Sequence, residues 1–477
     1  MTSTDSPARA HIPDEISVVN VGLSLFASAI RQQERPVVDV DWRIPGGGDP
    51  QVVAALRRCF GPHTAVIDAA NEEVVRRLDR GAPKVVGVRP AGEVVPVLAE
   101  RRVILHCGPS IEAERLSDPL RRSIRSAIRA EGWAGSNEEA ERLLAEGEVE
   151  LAPANTHGVV VPMATAMGPR TPVWVVELAE VGITTYAPIG QGSGDVAWFG
   201  KDTQGAVDRL VLLREAVGPV LDEALQRYGP VDVMSFAAQA LAMGDDVHVR
   251  TQAATNLLLR SLLPSLVLGA HPRRGEVAEF LSGNHLLFLS LAMASARALT
   301  TWAAQVEGSS VVIGMSRNGT DFAAWLGDDG TATQLVPAPM VGRALYQPGR
   351  SEADAAPDIG DSAVLELVGL GGAAAAGSPA VAQMVGGTMA HAVELTEDLD
   401  RVCVGSSTRF TIPYWGMKGS PLAVDVRKVV ELGITPQVTT GILHCSDGSG
   451  QVGAGVATAP VEAFVALLLD LDRRLSR

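Results

Sequence analysis

The chain has 477 residues, with 55 Asp and Glu against 40 Lys and Arg and a formal net charge of −15. That balance excludes a nucleic-acid surface, which needs cations clustered on one face. Hydrophobic residues make up 46% and aromatics 4%, with 49 Gly, so a large α/β enzyme of roughly two to four domains is expected rather than a disordered chain. Cys59, Cys107, Cys403 and Cys445 form no CxxC pair, which argues against a zinc knuckle or a disulfide framework. The opening MTSTDSPARAHIPDE lacks the basic start and apolar core of a signal peptide. Apolar runs are broken by Gly, Pro or charge before reaching the roughly 18 residues of a membrane helix. A cytoplasmic protein with no membrane association is expected.

In chain order, SVVNVGL (17–23) reads as a strand, LFASAIRQQ as a helix and PVVDVDWR (36–43) as a second strand, a Rossmann-like βαβ opening. The turn after the first strand carries only Gly22, so the GxGxxG dinucleotide fingerprint is absent and no cofactor is expected. Residues 50–59 resume as helix, and KVVGVRP and RRVILHCGPS supply further strands with Gly, Pro or polar exits. Residues 110–128 and 137–147 have helical spacing. A domain boundary is expected near residue 150, closing a Rossmann-like N-terminal domain over 1–150.

The second region, 151–305, begins as loops and turns helical. ANTHGVVVPMATAMGPRTPVWVVEL places His157 and Met163 in a Gly/Pro-rich stretch before the strand PVWVVEL. Gly190, Gly192 and Gly194 form a second Gly-rich turn, a weak phosphate cradle. From 202 to 305 the spacing is mostly helical, a central helical layer. Two boundaries in it carry polar groups near helix N-termini, GDDVHVR (244–250) and SGNH (282–285), where exposed N–H groups favour anions. Asn284 serves there as a helix cap or as a ligand group, with His285 beside it. Asp245, Asp246 and His248 match no zinc spacing, and no metal is expected.

The third region, 306–477, returns to α/β texture as a C-terminal α/β domain. In GSSVVIGMSRNGTDF (308–322) the apolar Val311, Val312 and Ile313 read as a buried strand that empties into Arg317, Asn318, Gly319, Thr320 and Asp321. Sheets bind ligands at such exits, and a guanidinium fork matches a two-oxygen anion; an Arg–Asp pair stitching the loop is the alternative. Asp358, Gly360, Asp361 and Ser362 precede a helix-like apolar run with Gly369, Gly371 and Gly372. Arg427, Lys428 and His444 follow with a Gly-rich turn, the only local cluster mixing two cations, an imidazole and strand ends.

These blocks, in this order, resemble the large-subunit family of oxamate carbamoyltransferase (AllG/YlbE-like). The resemblance rests on VNVGLSLFASAI, VDVDWRIPGGGD, HCGPSIEAERLSDPLR, VPMATAMGPRTPVWVVE, MGDDVHVRTQAATNLLLR, GSSVVIGMSRNGTDF, APDIGDSAVLELVGLGG and DVRKVVELGITPQVTTGI, and spans nearly the whole chain. It implies transfer of a carbamoyl group between carbamoyl phosphate and a small amide or amine acceptor, oxamate-like, in nitrogen metabolism, within an oligomer that includes FdrA-like partner subunits. Three loops depart from the family pattern. Asn155, Thr156 and His157 replace a His-rich run, Gly190 to Asp195 replace Asn-Glu-Gly-x-Gly-Lys, and Gly283, Asn284 and His285 shorten Gly-Asn-Asp-His. They point to a divergent acceptor.

Under that resemblance Arg317 and Arg427, with Lys428, would hold the phosphate or the acceptor carboxylate. His157 and His444 would act as general acid–base groups, since imidazole titrates near neutral pH. Asn318, Gly319, Thr320, Asn284 and His285 would surround the carbamoyl group, while Asp321, Asp358, Gly360, Asp361 and Ser362 orient the set. The activated donor requires no covalent nucleophile. Two alternatives stand beside this one: an acyl-CoA synthetase-related ligase or transferase using a phosphohistidine at His106, and a non-catalytic scaffolding subunit.

Overall fold

The computed structural model describes residues 18–22, 24–40, 44–327 and 334–477. The polar N-terminal stretch and the outer ends of the two opening strands lie outside the described residues. The fold is of the α/β class, with helices and sheets interleaved along the chain.

The opening βαβ unit is present. β1 (Val18–Val21) pairs in parallel with β2 (Val37–Val40), from Val18↔Val37 to Val21↔Val40, around the helix Ser24–Arg31. Its apolar side chains Val19, Val21, Leu25, Phe26 and Val38 stay exposed, so this unit adds little to the core. A doubly wound domain over 1–150 does not follow from it. β3 (Lys84–Pro90) runs antiparallel to β7 (Pro172–Leu178) and to β9 (Val231–Asp232), with β8 (Ile183–Pro188) at the far edge. β4 (Val103–His106) lies parallel to β5 (Glu150–Pro153) and antiparallel to β6 (Ala166–Met167). Between β3 and β4 the chain makes only the one-turn helix Ala91–Val94 and a 3-10 turn opened by Pro96. That is too short to cover a sheet face as a parallel crossover helix does, so both strands take partners from beyond residue 150.

The expected helical layer is built from Gln204–Leu212, Gly218–Tyr228, Val233–Ala242, Gln252–Val267, Arg274–Gly283 and Leu287–Ala304. The last of these is long and apolar enough to cross a membrane, yet it is 83% buried inside the protein. Apolar residues all round a helix mean burial on every side, and here β7, β8 and the helix Thr64–Arg80 surround it.

The C-terminal third forms three small sheets. β10 (Gly314–Asn318) lies between β11 (Asp321–Trp325) and β14 (Ile359–Gly360), with β12 (Val336–Pro337) outside β11. β13 (Val341–Tyr346), β18 (Gln451–Thr458) and β17 (Gln437–Leu443) form a second sheet, and β15 (Cys403–Ile412) with β16 (Lys418–Val424) a third. Two expectations shift here. The strand in 308–322 begins three residues later than the apolar run, so Arg317 and Asn318 stand inside a buried strand rather than in its exit turn. Gly314 sets that start, because a Cβ there would lie 2.0 Å from the Trp325 ring. The run 357–387 makes successive 3-10 turns, Ser362–Val364, Glu366–Val368 and Gly371–Gly377, before the helix Pro379–Met384. Gly369 at φ +87 and Gly371 at φ +59 interrupt a continuous α-helix.

The exit of β4 is locked against β10 through Gly108, whose φ is +79 and whose Cβ would fall 2.5 Å from the backbone of Arg317 and Asn318. Gly108→Ala combines left-handed strain with overpacking, at about 1–2 and about 1–3 kcal/mol. It is expected to lower the urea unfolding midpoint by more than the same substitution at Gly147, which is exposed at φ +71 with open space around it and bears the left-handed strain without the overpacking.

Candidate functional site

The strand order brings β10, β14 and β17 against the turns that follow β4 and β5, and the polar side chains that meet there, from Asn155, Ser316, Arg317, Asp358, Asp361 and Thr440, are buried. Arg317 is 0% exposed. Its Nε and Nη2 donate to the Asp358 carboxylate at 2.7 and 3.2 Å, and its Nη1 to the Gly360 carbonyl at 2.7 Å. Asp358 also accepts from the Ile359 N–H and the Thr440 hydroxyl, each at 2.9 Å. Burial opposes the guanidinium charge, but the Asp358 carboxylate more than offsets it and the Arg317 pKa is raised. Asp361 accepts from the N–H of Gly108 at 2.8 Å and of Val161 at 3.2 Å. Burial pushes its carboxyl up to about 7, against those N–H groups and Arg317. Asn155 closes the knot, its Nδ2 donating to the Ser316 hydroxyl at 3.1 Å.

Beside this knot lies a small cavity of about 60 Å³, lined among others by Met163, Trp198, His248, Leu286, Ser362 and Gln451. The loop 244–251 delivers His248 to it. Asp246 folds that loop by accepting from the N–H of Arg250 at 2.8 Å and of Val249 at 3.3 Å, and it takes the Thr439 hydroxyl at 3.1 Å. Burial raises the Asp246 pKa, with His248 and the backbone N–H groups opposing. Val247 sits at φ 62 and Met163 at φ 51, conformations that cost a branched or bulky side chain and tend to mark working sites. His248 Nδ1 is 2.8 Å from Glu366 Oε1, and Glu366 also accepts from the Gly372 N–H at 3.0 Å. A Cβ at Gly371 would lie 2.1 Å from that same Oε1 and 3.0 Å from His248 Nδ1; only a glycine lets the backbone pass there. With Nδ1 turned to the carboxylate, Nε2 is the nitrogen left to exchange a proton with a bound molecule.

The remaining expected site residues divide among three other places. Asn318 Oδ1 accepts the N–H of Thr320 at 3.0 Å and of Asp321 at 2.7 Å, Gly319 takes φ +80, Thr320 donates to the Arg115 carbonyl, and Asp321 pairs with Arg115 at 2.7 Å. These four stitch a turn rather than face the cavity. Arg427 is held by Asp425 at 2.8 Å and Asp68 at 2.7 Å and stacks over Phe60, while Lys428 donates to the Cys403 carbonyl. Both tie the helix Val426–Leu432 to its neighbours, and the charge of Arg427 is already matched by two carboxylates. His444 accepts the N–H of Ser446 and Asp447 and stands 3.4 Å from Asp354, ordering a loop. His157 ends the 3-10 turn Ala154–His157 that carries Asn155 into the knot, and burial lowers its pKa. Asn284 is buried and donates to the Gly190 carbonyl at 2.8 Å, next to the exposed His285, in a separate cleft. His106 is 1% exposed and enclosed within β4, which leaves no access for a phosphohistidine.

Arg317, Asp358, Gly360, Asp361 and Ser362 therefore do converge, and the two residues absent from the expected set are His248 and Glu366. Their traces in the sequence were the polar break GDDVHVR and a single Glu inside the apolar AVLELVGL. Among the described residues no group of three or more His, Cys, Asp or Glu is placed to hold a metal ion.

Comparison with known proteins gives a consistent result. The family model described as oxamate carbamoyltransferase subunit AllG matches residues 149–362, a span that contains His248, Arg317 and Asp358 to Ser362. The chain is 34% identical over 400 residues to oxamate carbamoyltransferase subunit AllG of Escherichia coli K12, covering 83% of this chain and 95% of that one. It is 32% identical over 465 residues to the uncharacterized protein YahG of the same organism, covering 95% and 96%. A crystal structure of a conserved protein of unknown function from Enterococcus faecalis V583 superimposes with a TM-score of 0.82 at 32% identity, covering 86% of this chain and 98% of that one.

Arg317 separates two roles that a measurement can tell apart. Arg317→Met leaves the Asp358 carboxylate buried without its counter-charge and is expected to cost about 3–5 kcal/mol in urea unfolding. A rise in substrate KM at unchanged stability would instead make Arg317 a ligand holder.

Proposed function

The chain belongs to the AllG family of oxamate carbamoyltransferase subunits, and on that premise we propose that it carries the site of carbamoyl transfer between carbamoyl phosphate and a small amide or amine acceptor of the oxamate class. It works with partner subunits, in nitrogen metabolism, and belongs in the cytoplasm. The observation that carries the proposal is the His248–Glu366 pair, 2.8 Å apart, with His248 in the wall of a small cavity. At about 60 Å³ the cavity has room for roughly four to six water-sized positions, at about 10–15 Å³ each. That suits reactants of a few heavy atoms.

In the transfer, the acceptor nitrogen attacks the carbamoyl carbon. A C–N bond forms, the C–O bond to phosphate breaks, and phosphate leaves with the electron pair. His248 Nε2 takes the proton that the nitrogen loses, and the Glu366 carboxylate keeps Nδ1–H oriented and stabilises the imidazolium so formed. The Ser362 hydroxyl, buried at the cavity wall, donates to the carbamoyl oxygen as negative charge develops on it. Asp361 and the Arg317–Asp358 pair act as positioning residues that hold the turn bearing Ser362. In the reverse direction phosphate attacks the same carbon and the imidazolium returns the proton to the leaving nitrogen.

The test is phosphate release from carbamoyl phosphate, dependent on oxamate, by the chain assembled with its partner subunits. His248→Asn, whose side-chain amide can still donate to Glu366, is expected to lower kcat by about 10²- to 10⁴-fold, and Glu366→Gln to lower it less. Full activity in an assembled complex carrying His248→Asn would sink the catalytic assignment and leave this chain a scaffold.

A further inference from the structure

β17 and β18 pair in step from Gln437↔Thr458 to Ile442↔Gly453, after which the register shifts and Leu443 stands opposite Gln451. Val452 is the extra residue. Successive side chains of a strand point to opposite faces, and a bulge of one residue reverses which ones do so beyond it. Here the reversal aims Gln451 at the His248 cavity, beside Gly441 and Ala454, while Val452 packs with Ile442 in a separate apolar cluster. In unbroken register Val452 would face the cavity instead.

Gly441 makes the room that the amide occupies: a Cβ there would lie 3.0 Å from Gln451 Nε2 and 2.8 Å from Met163 Cε. Nε2 donates to the Gly453 carbonyl at 3.1 Å. That bond sets the orientation of the amide, because Oε1 in the same place would put two acceptors together, and it leaves Oε1 with no donor among the described residues. Elsewhere in the wall, Trp198 Nε1 is spent on the Gly192 carbonyl and His248 Nδ1 on Glu366. What remains is a hydroxyl at Ser362, a proton acceptor at His248 Nε2 and a carbonyl at Gln451. Among the described residues no Lys or Arg lines the cavity, so it suits the uncharged carbamoyl end of the donor better than the phosphate.

Resting on the carbamoyl-transfer reading, we propose that Gln451 is the residue that makes the site specific for a carbamoyl group, its Oε1 accepting an N–H of the carbamoyl NH2 while Ser362 holds the carbonyl oxygen. An acetyl group is the discriminating rival. It has the same shape, with a methyl in place of the NH2, and would set that methyl against Oε1 where a donor is needed. A site built to accept an N–H rejects the analogue lacking it far more strongly than an apolar pocket rejects a change of one group. The bulge at Val452 is the backbone device that puts the acceptor there.

Phosphate release from carbamoyl phosphate and from acetyl phosphate, with oxamate present and the chain assembled with its partner subunits, tests the proposal through the ratio of the two kcat/KM values. The unaltered complex is expected to prefer carbamoyl phosphate by at least about 10²-fold. Gln451→Leu is expected to lower kcat/KM for carbamoyl phosphate by about 10²-fold and to leave that for acetyl phosphate nearly unchanged, so the preference collapses. Gln451→Glu keeps an acceptor oxygen in place and retains the preference, even where its charge slows both donors. His248→Asn is expected to slow both donors and leave their ratio as it was; its full activity would sink the transfer reading, a result distinct from any change in preference. Equal use of the two donors by the unaltered complex, a preference that survives in an intact Gln451→Leu complex, or an equal fall for both donors in that variant would each overturn the assignment of Gln451. Release from neither donor would overturn it together with the transfer reading.

Discussion

The Arg317–Asp358 ion pair is the contact on which the centre of this protein turns. It joins β10 to the segment entering β14 through the fully buried guanidinium, and the same guanidinium reaches the Gly360 carbonyl. A buried pair of this kind contributes little net stability compared with apolar packing, because desolvation consumes most of the Coulomb gain. What it supplies is geometry: neither partner tolerates the loss of the other, so β10 and the turn from Asp358 to Ser362 stay in one register. Asp361 extends the same logic outward, taking N–H groups from the turns after β4 and β5.

The cavity next to this knot depends on the backbone as much as on side chains. Gly371 lets the chain pass within contact of Glu366 and His248, and Gly360 passes close to Met163, where a Cβ would lie 2.7 Å from its N. Met163 and Val247 hold positive φ without being glycine, strain that persists because the surrounding polar network over-determines it. His248 is thereby presented by a loop of little freedom, and its Nδ1 is committed to a carboxylate. A general base benefits from both, since orientation and tautomer are settled before a substrate arrives.

Much of the architecture was legible from periodicity. The helix at 50–59, the strands KVVGVRP and PVWVVEL, and the helices across 202–305 were readable from period and punctuation, since a 3.6- or 2-residue pattern is a property of adjacent positions. The strand at Gly314–Asn318 was displaced because the bulk of Trp325, from a neighbouring strand, selects the glycine. The Rossmann-like extension failed for a related reason: whether β3 and β4 pair in parallel depends on a crossover long enough to cover the sheet, and the partners offered by β5, β6, β7 and β9 lie further along the chain.

The sequence by itself determined the class of fold, the family, the acidic charge balance and the polar turn from Asp358 to Ser362 that the fold brings beside Arg317. Only the tertiary structure decided which charges are spent on one another and which face a cavity. Arg317 and Arg427 look alike in sequence as free cations, but each finds its carboxylates only when the chain folds. His248 meets Glu366 across 118 residues. Charge pairing and proton transfer act over a few ångströms, and no pattern of neighbours along the chain records which distant side chains will come that close.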